Sequence, residues 1–293
     1  MRRLISAFSL LVYLFPLAAH AQQPPQSWFF AVLSDPQFGM YTKDQNFIQE
    51  TANFEFVISS LNRLHPAFVV VCGDFVNRTG SATEIAEYKR ILKELSPSIP
   101  VYNVAGNHDV GDVPSKSHIT NYRASFGKDY YSFERNGLFG IVLDSSLISS
   151  PQGYSAATNA QLSWLKTTLA NSAAEAATQV VVFQHIPYFT HQAAEADSYY
   201  NLPLSTRVTY LNLLISSGVE WVFSGHTHNR AGGLDGNLTQ VVTGAVGMPI
   251  GSSGSGLTLV AVNGRELHPV WYCLGGLPNN FDPANPPATA CSR

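Results

Sequence analysis

Five short apolar runs in this 293-residue chain end in the same way, on a cluster of Gly, Asp, Asn or His. Residues 28–33 run into Ser34-Asp35-Pro36-Gln37, 68–72 into Gly73-Asp74-Phe75-Val76-Asn77, and 100–105 into Gly106-Asn107-His108-Asp109. Residues 180–184 lead to His185, and 220–224 to Gly225-His226-Thr227-His228. Apolar runs of this length bounded by turn residues predict strands. Between residues 28 and 225 they alternate with segments of helical periodicity, which predicts an α/β chain with layered sheets. In such sheets ligands bind at the carboxyl ends of the strands, where these polar residues fall. The glycines are expected to let the backbone turn tightly and bring the side chains to a shared point.

A further strand is predicted over 138–143. Residues 46–64 place Ile48, Ala52, Val57, Ile58, Leu61 and Leu64 near one helical face, and a helix over 205–217 stops at Gly218. Ser81 with Glu84, and Thr158 with Gln161, have the spacing of capping boxes. After residue 238 the pattern changes to strands at 238–243, 257–262 and 267–273, joined by Gly-rich turns. Segments 111–135 and 186–204 read as the loops that choose a substrate, and the Pro- and Asn-rich stretch from Gly275 reads as a loose tail.

A 45% hydrophobic composition supports one substantial core, and no linker or repeat divides the chain. The net charge of −3 and the lack of any Lys/Arg run exclude a surface built to grip a nucleic-acid polymer. No obligate protein partner is indicated. Arg2-Arg3, the apolar run Leu4 to Leu17 and Ala19-His20-Ala21 form a signal-peptide pattern over 1–21. The expected division is a leader at 1–21, a catalytic domain at 22–273 and a tail at 274–293, with the mature protein secreted or periplasmic and not anchored in a membrane. Cys273 and Cys291 are a candidate disulfide in such a compartment, and Cys72 a buried thiol. Asn77-Arg78-Thr79 is a glycosylation sequon, and a glycan there would block the neighbouring Asp74, which favours a bacterial source.

Two aspartates, an asparagine and three histidines suit Zn, Mn or Fe rather than Ca, and are too many for one tetrahedral ion. Two divalent or trivalent ions are expected, bridged by Asp74. Two ions about 3.5–4 Å apart activate a water between them and clamp phosphate oxygens for in-line attack. His108 is the candidate general acid for the leaving group, with Asp109 orienting its ring or holding its proton. Asp144 is expected to support the centre from behind, and Tyr199, Tyr200 and Asn201 are candidates for the substrate wall. His65, His118, His191 and His268 lack partner motifs and read as structural.

The series Asp35-x-Gln37, Gly73-Asp74-x-x-Asn77, Gly106-Asn107-His108-Asp109, His185 and Gly225-His226-x-His228 resembles the calcineurin-like metallophosphoesterases in order and spacing. That resemblance implies a four-layer α-β-β-α sandwich of two mixed sheets. It implies one metal on Asp35, Asp74 and His228, and a second on Asp74, Asn107, His185 and His226. Gln37 stands where the family usually has histidine, and is either a weaker direct ligand or a partner of metal-bound water. Asn77 stands where purple acid phosphatases have a metal-binding tyrosine, so their colour is not expected. Asp35-Pro36-Gln37-Phe38-Gly39 and Tyr199-Tyr200-Asn201-Leu202 resemble a subgroup of phosphoserine and phosphothreonine phosphatases working inside eukaryotic cells. A phosphomonoesterase acting through a hydroxide held between two metals is therefore expected. A phosphodiesterase of nucleotides is the alternative, and a non-catalytic metal-stabilised scaffold a third reading that retention of His108 disfavours.

Overall fold

In strand β1 (Trp28–Leu33), Phe29, Ala31 and Leu33 enter one hydrophobic core while Phe30 and Val32 enter another. β2 (Val69–Cys72) repeats this, with Val69 and Val71 on one side and Val70 and Cys72 on the other. Because side chains alternate along a strand, an unbroken apolar run is a strand buried on both faces. The computed structural model describes residues 27–171, 177, 179–289 and 291. The leader expected over 1–21 lies outside them.

β1 and β2 are parallel to each other and to β3 (Val101–Val104), and this five-stranded sheet is completed by the antiparallel hairpin β10 (Gly256–Asn263) and β11 (Glu266–Cys273), in the order β11-β10-β1-β2-β3. The second sheet has six strands: β4 (Tyr131–Arg135), β5 (Leu138–Val142), β6 (Gln179–Phe183), β7 (Trp221–Ser224), β8 (Ala231–Asp235) and β9 (Leu238–Val242). Their order is β4-β5-β6-β7-β9-β8, parallel from β5 to β9 with antiparallel strands at both edges. Phe30, Phe68, Phe183 and Phe223 fill the space between the sheets. Helices α1 (Ile48–Leu64) and α2 (Ala82–Leu92) cover the first sheet, and α6 (Ser155–Leu169) and α7 (Leu204–Ser216) the second. This is the expected α-β-β-α sandwich. Among the described residues no helix is long and apolar enough to cross a membrane.

Several expectations are corrected. Segment 111–135 is not a loop: it contains α4 (Lys116–Phe126) and β4, preceded by the short α3 (Asn107–Val110). α4 buries only Ile119 and Tyr122, too narrow a stripe to show periodicity, and β4 and the Gly-rich β8 are edge strands. Neither capping box forms. Glu84 turns back to accept the amides of Asn77 and Arg78 (2.8 and 2.9 Å). Gln161 clasps the backbone of Asp144 in both directions (2.8 and 3.0 Å). Asp144 caps α5 (Ser145–Ser149) through the amides of Ser146 and Leu147, and burial, with Asp129 nearby, pushes its carboxyl up to about 8. Its hydrogen bonds thus serve α5 rather than the metal-type ligands. The tail is not loose, since Leu274, Leu277 and Phe281 pack on the first core and the Cys273–Cys291 disulfide is closed. Cys72 is a free, buried thiol.

Segment 187–203 crosses from β6 to α7 over a fully buried arginine. Arg207 donates to the carbonyls of Leu202 (2.9 and 2.7 Å), Ala193 (2.9 Å) and Glu195 (2.8 Å). Arg207→Met would leave these carbonyls without donors, so a loss of roughly 3 kcal/mol is expected. For a chain of this size that lowers the melting temperature by roughly 6–12 °C in a thermal scan. An unchanged melting temperature would show that the segment is not held from beneath.

Candidate metal centre

The two sheets contribute different chemistry to one point. Asp35 and Gln37 follow β1, Asp74 follows β2 and Asn107 follows β3, so every oxygen donor comes from the five-stranded sheet. His185 follows β6 and His226 and His228 follow β7, so every nitrogen donor comes from the six-stranded sheet. All seven side chains are buried. Five of these residues leave their strands in the left-handed region: Asp35 (φ 52°), Gln37 (φ 36°), Asp74 (φ 53°), His226 (φ 73°) and His228 (φ 53°). Each such turn costs a non-glycine residue about 1 kcal/mol or more, and strain of this kind gathers at functional sites. The expectation that glycines would make these turns holds only for Gly73 (φ 81°); Gly106 (φ −101°) is needed for close approach instead.

Asp74, His185 and His226 bring one ligand atom each to within 4.8 Å of one another, as do Asp35, Asp74 and His228. Asp74 belongs to both groups. His185 Nε2 lies 3.1 Å from Asp74 Oδ2, 3.0 Å from Asn107 Oδ1 and 3.2 Å from His226 Nδ1. His228 Nε2 lies 3.3 Å from Asp35 Oδ1. Gln37 Nε2 donates to Asn77 Oδ1 (3.2 Å), while Gln37 Oε1 and Asp35 Oδ1 are buried acceptors with no hydrogen-bond donor among the described residues. Buried acceptors left in this state are costly unless a cation satisfies them. The donor set and these orphaned oxygens therefore fit two metal ions, and the Gln37 amide nitrogen is spent on Asn77 while its oxygen is left without a donor.

Each histidine spends its other nitrogen on a backbone carbonyl. His185 Nδ1 donates to Cys72 O (2.7 Å), His226 Nε2 to Tyr199 O (2.7 Å) and His228 Nδ1 to Met248 O (2.6 Å). These bonds fix which nitrogen of each ring faces the centre before any ion arrives. Burial disfavours charge on His185, but Asp74 outweighs it and raises its pKa to about 10, so an ion taking His185 Nε2 must displace the proton shared with Asp74. His226, buried beside His185, is held down at about 4 and is neutral, as a ligand must be. Ser34 Oγ sits between the Asp35 carboxylate and Cys72 O, and His226 N donates to Asp35 Oδ2 (3.1 Å).

His108 lies beside the centre, its amide donating to Asp74 Oδ1 (2.9 Å) and its Nδ1 bonded to Asn77 O (2.6 Å), which leaves Nε2 free for a ligand. Thr79 Oγ1 holds the His108 carbonyl (2.8 Å). Asp109 does not orient the His108 ring. Its carboxylate accepts the amides of Asp74, Phe75 and Gly106, each at 2.9 Å, and so ties the β2 turn to the β3 turn. Asp112, Ser34, Thr79 and the carbonyls of Cys72, Met248 and Tyr199 were not legible in the sequence. Asp112 orients Asn107 by accepting from its Nδ2 (2.8 Å). His268 pairs instead with Glu266 (3.4 Å), and His65 ends α1 in the left-handed region.

A calcineurin-like phosphoesterase family model matches residues 30–230. A serine/threonine-protein phosphatase CPPED1 of Bos taurus is 33% identical over 280 residues, covering 89% of this chain and 90% of that protein. Among solved structures, a dimetal phosphatase from Danio rerio superposes with a TM-score of 0.62 at 15% identity over 83% of this chain and 97% of its own. GAP50, the anchor in the inner membrane complex of Plasmodium, gives 0.63 at 17% identity over 86% of each chain, and the two together speak to the fold alone.

Proposed function

Because the chain belongs to the calcineurin-like phosphoesterase family and is thus a metal-dependent phosphatase, we propose that it hydrolyses phosphomonoesters on serine or threonine side chains of exported or extracellular proteins. The observation that carries this reading is the doubled ligand group sharing Asp74, with the ring nitrogen that faces the centre already fixed in each histidine. Two ions there would supply an activated water and neutralise the phosphoryl oxygens. The residues of the chain do the rest. Asp74 holds the two ligand groups together, and Asp112 turns the Asn107 amide so that its oxygen faces His185. With Nδ1 donating to Asn77 O, His108 can give a proton to the departing alkoxide only from Nε2, and only from the imidazolium, which returns to the Nδ1–H imidazole as the alkoxide becomes the alcohol. The serine and threonine specificity rests on the likeness to the CPPED1 phosphatases, and export on the pattern over 1–21 together with the closed Cys273–Cys291 disulfide. We take 22–273 as the catalytic unit. The identity of the metals, Mn, Zn or Fe, is left to loading experiments.

Hydrolysis of a phosphoserine peptide, p-nitrophenyl phosphate and bis-p-nitrophenyl phosphate, with each metal in turn, tests this reading. Monoester turnover is expected to exceed diester turnover; the reverse would make the phosphodiesterase reading the better one. His108→Ala is expected to slow the peptide reaction by roughly 100-fold or more, the usual weight of a general acid. p-Nitrophenolate leaves without needing a proton, so the same variant should lose far less on that ester. Equal losses on both would remove His108 from the role of acid.

A further inference from the structure

Tyr199 stands at the crest of segment 187–203. Beneath it, Arg207 ties down three carbonyls, and Glu195 accepts the amides of Thr190 (2.7 Å), His191 (2.9 Å) and Gln192 (3.2 Å) and the Asn201 side chain (2.6 Å). Burial opposes the Glu195 charge, but these donors prevail and hold its carboxyl down at about 2. The crest is therefore fixed rather than free. Its carbonyl receives His226 Nε2, its ring centroid lies 4.8 Å from that of His226, and its hydroxyl oxygen lies 3.3 Å from Asn107 Nδ2. One side chain is thus set against two metal-type ligands.

Two details separate this tyrosine from a brace. Asn107 is already oriented by Asp112 at 2.8 Å, a shorter bond to a charged acceptor, so the longer contact to Tyr199 adds little to its position. The residue is also 60% exposed, so its ring stands open to solvent beside His226, tilted by 42° to that ring. A phenol that accepts from an amide keeps its own hydrogen to donate. We propose that the Tyr199 hydroxyl is a substrate-binding donor, giving its hydrogen to a non-bridging phosphoryl oxygen of the bound ester. The inference rests on the phosphoesterase reading and adds to it a substrate contact from outside the five strand-end motifs. Approach from the open side also suits a phosphorylated side chain presented on a polypeptide, since the ring borders the centre without roofing it.

Tyr199→Phe removes the donor and keeps the ring. In the metal-loaded protein, calorimetric titration with inorganic phosphate is expected to show affinity about tenfold weaker than wild type, the loss of one hydrogen bond to a charged group. KM for a phosphoserine peptide should rise with it, while metal content measured by atomic emission stays at the wild-type value. Unchanged phosphate affinity would overturn the proposal. So would a loss of affinity that appears only together with a loss of metal, because Tyr199 would then be a support for Asn107. A wild-type protein that hydrolyses no ester would defeat the phosphoesterase reading itself; wild-type hydrolysis with a phosphate-competent Tyr199→Phe would defeat only this inference.

Discussion

Asp74→Ala protein is expected to bind neither metal stoichiometrically and to hydrolyse phosphomonoesters roughly a thousandfold more slowly, since bound metals supply several kcal/mol of transition-state stabilisation and each 1.36 kcal/mol is tenfold. The effect is large because this carboxylate belongs to both ligand groups, whereas His228 belongs to one. Its Oδ1 also holds the amide that carries His108. His228→Ala should therefore keep about one equivalent of metal where Asp74→Ala keeps none, a contrast that atomic emission on the purified proteins measures directly. Two equivalents retained by Asp74→Ala would show that the ions are not bridged by this residue.

Gly106→Ala is expected to damage the centre without replacing a single metal-type ligand. A β-carbon at Gly106 would run into the Asp74 amide nitrogen and Oδ1, and would sit 2.9 Å from its Cγ. The clash is with backbone and with the shared carboxylate, so no flexible side chain can swing away. Gly106 has φ −101°, which alanine adopts freely, so the cost is steric alone. Overpacking of this kind costs about 1–3 kcal/mol. Displacement of Asp74 should weaken metal binding by roughly 10–100-fold, as loss of a supporting partner does. Gly275→Ala, whose β-carbon would meet nothing within 4 Å, is the matched control and should leave melting temperature and metal affinity unchanged. Wild-type metal affinity in Gly106→Ala would mean that the β2 and β3 turns can separate without consequence.

β1, β2, β6 and β7 were legible because they are largely buried on both faces and so read as apolar runs, whereas the edge strand β3, buried only at Val104, was marked by the Gly106-Asn107-His108-Asp109 cluster that follows it. α4 and the edge strands β4 and β8 were not. An element that buries two residues, as α4 does with Ile119 and Tyr122, leaves too little pattern to be seen against a polar background. Glu84 and Gln161 were misread for a related reason. A capping box is a local competition, and here more distant backbone won it, the amides of Asn77 and Arg78 in one case and Asp144 in the other. The tail was taken for loose on its Pro and Asn content, yet Phe281 packs against Phe29 with ring centroids 4.9 Å apart and Arg63 donates to Pro278 O (3.1 Å).

By itself the sequence determined which metal-type residues end which strands, in what order, and the fold that gathers them, because donor chemistry is a property of residue type and each such residue stands beside its own strand. Tertiary structure alone decided how those ligands are tuned. The carbonyls that fix which ring nitrogen faces the centre lie 113 residues from His185, 27 from His226 and 20 from His228. Every residue carries a carbonyl, so nothing in the letters Cys72, Tyr199 or Met248 marks them for this task. Asp109 was correctly found in the motif and wrongly given to His108, since only the approach of the β2 turn to the β3 turn supplies the three amides that claim its carboxylate. Side-chain chemistry is written residue by residue, but hydrogen bonds to backbone depend on which segments meet, and that is settled only when the two sheets pack.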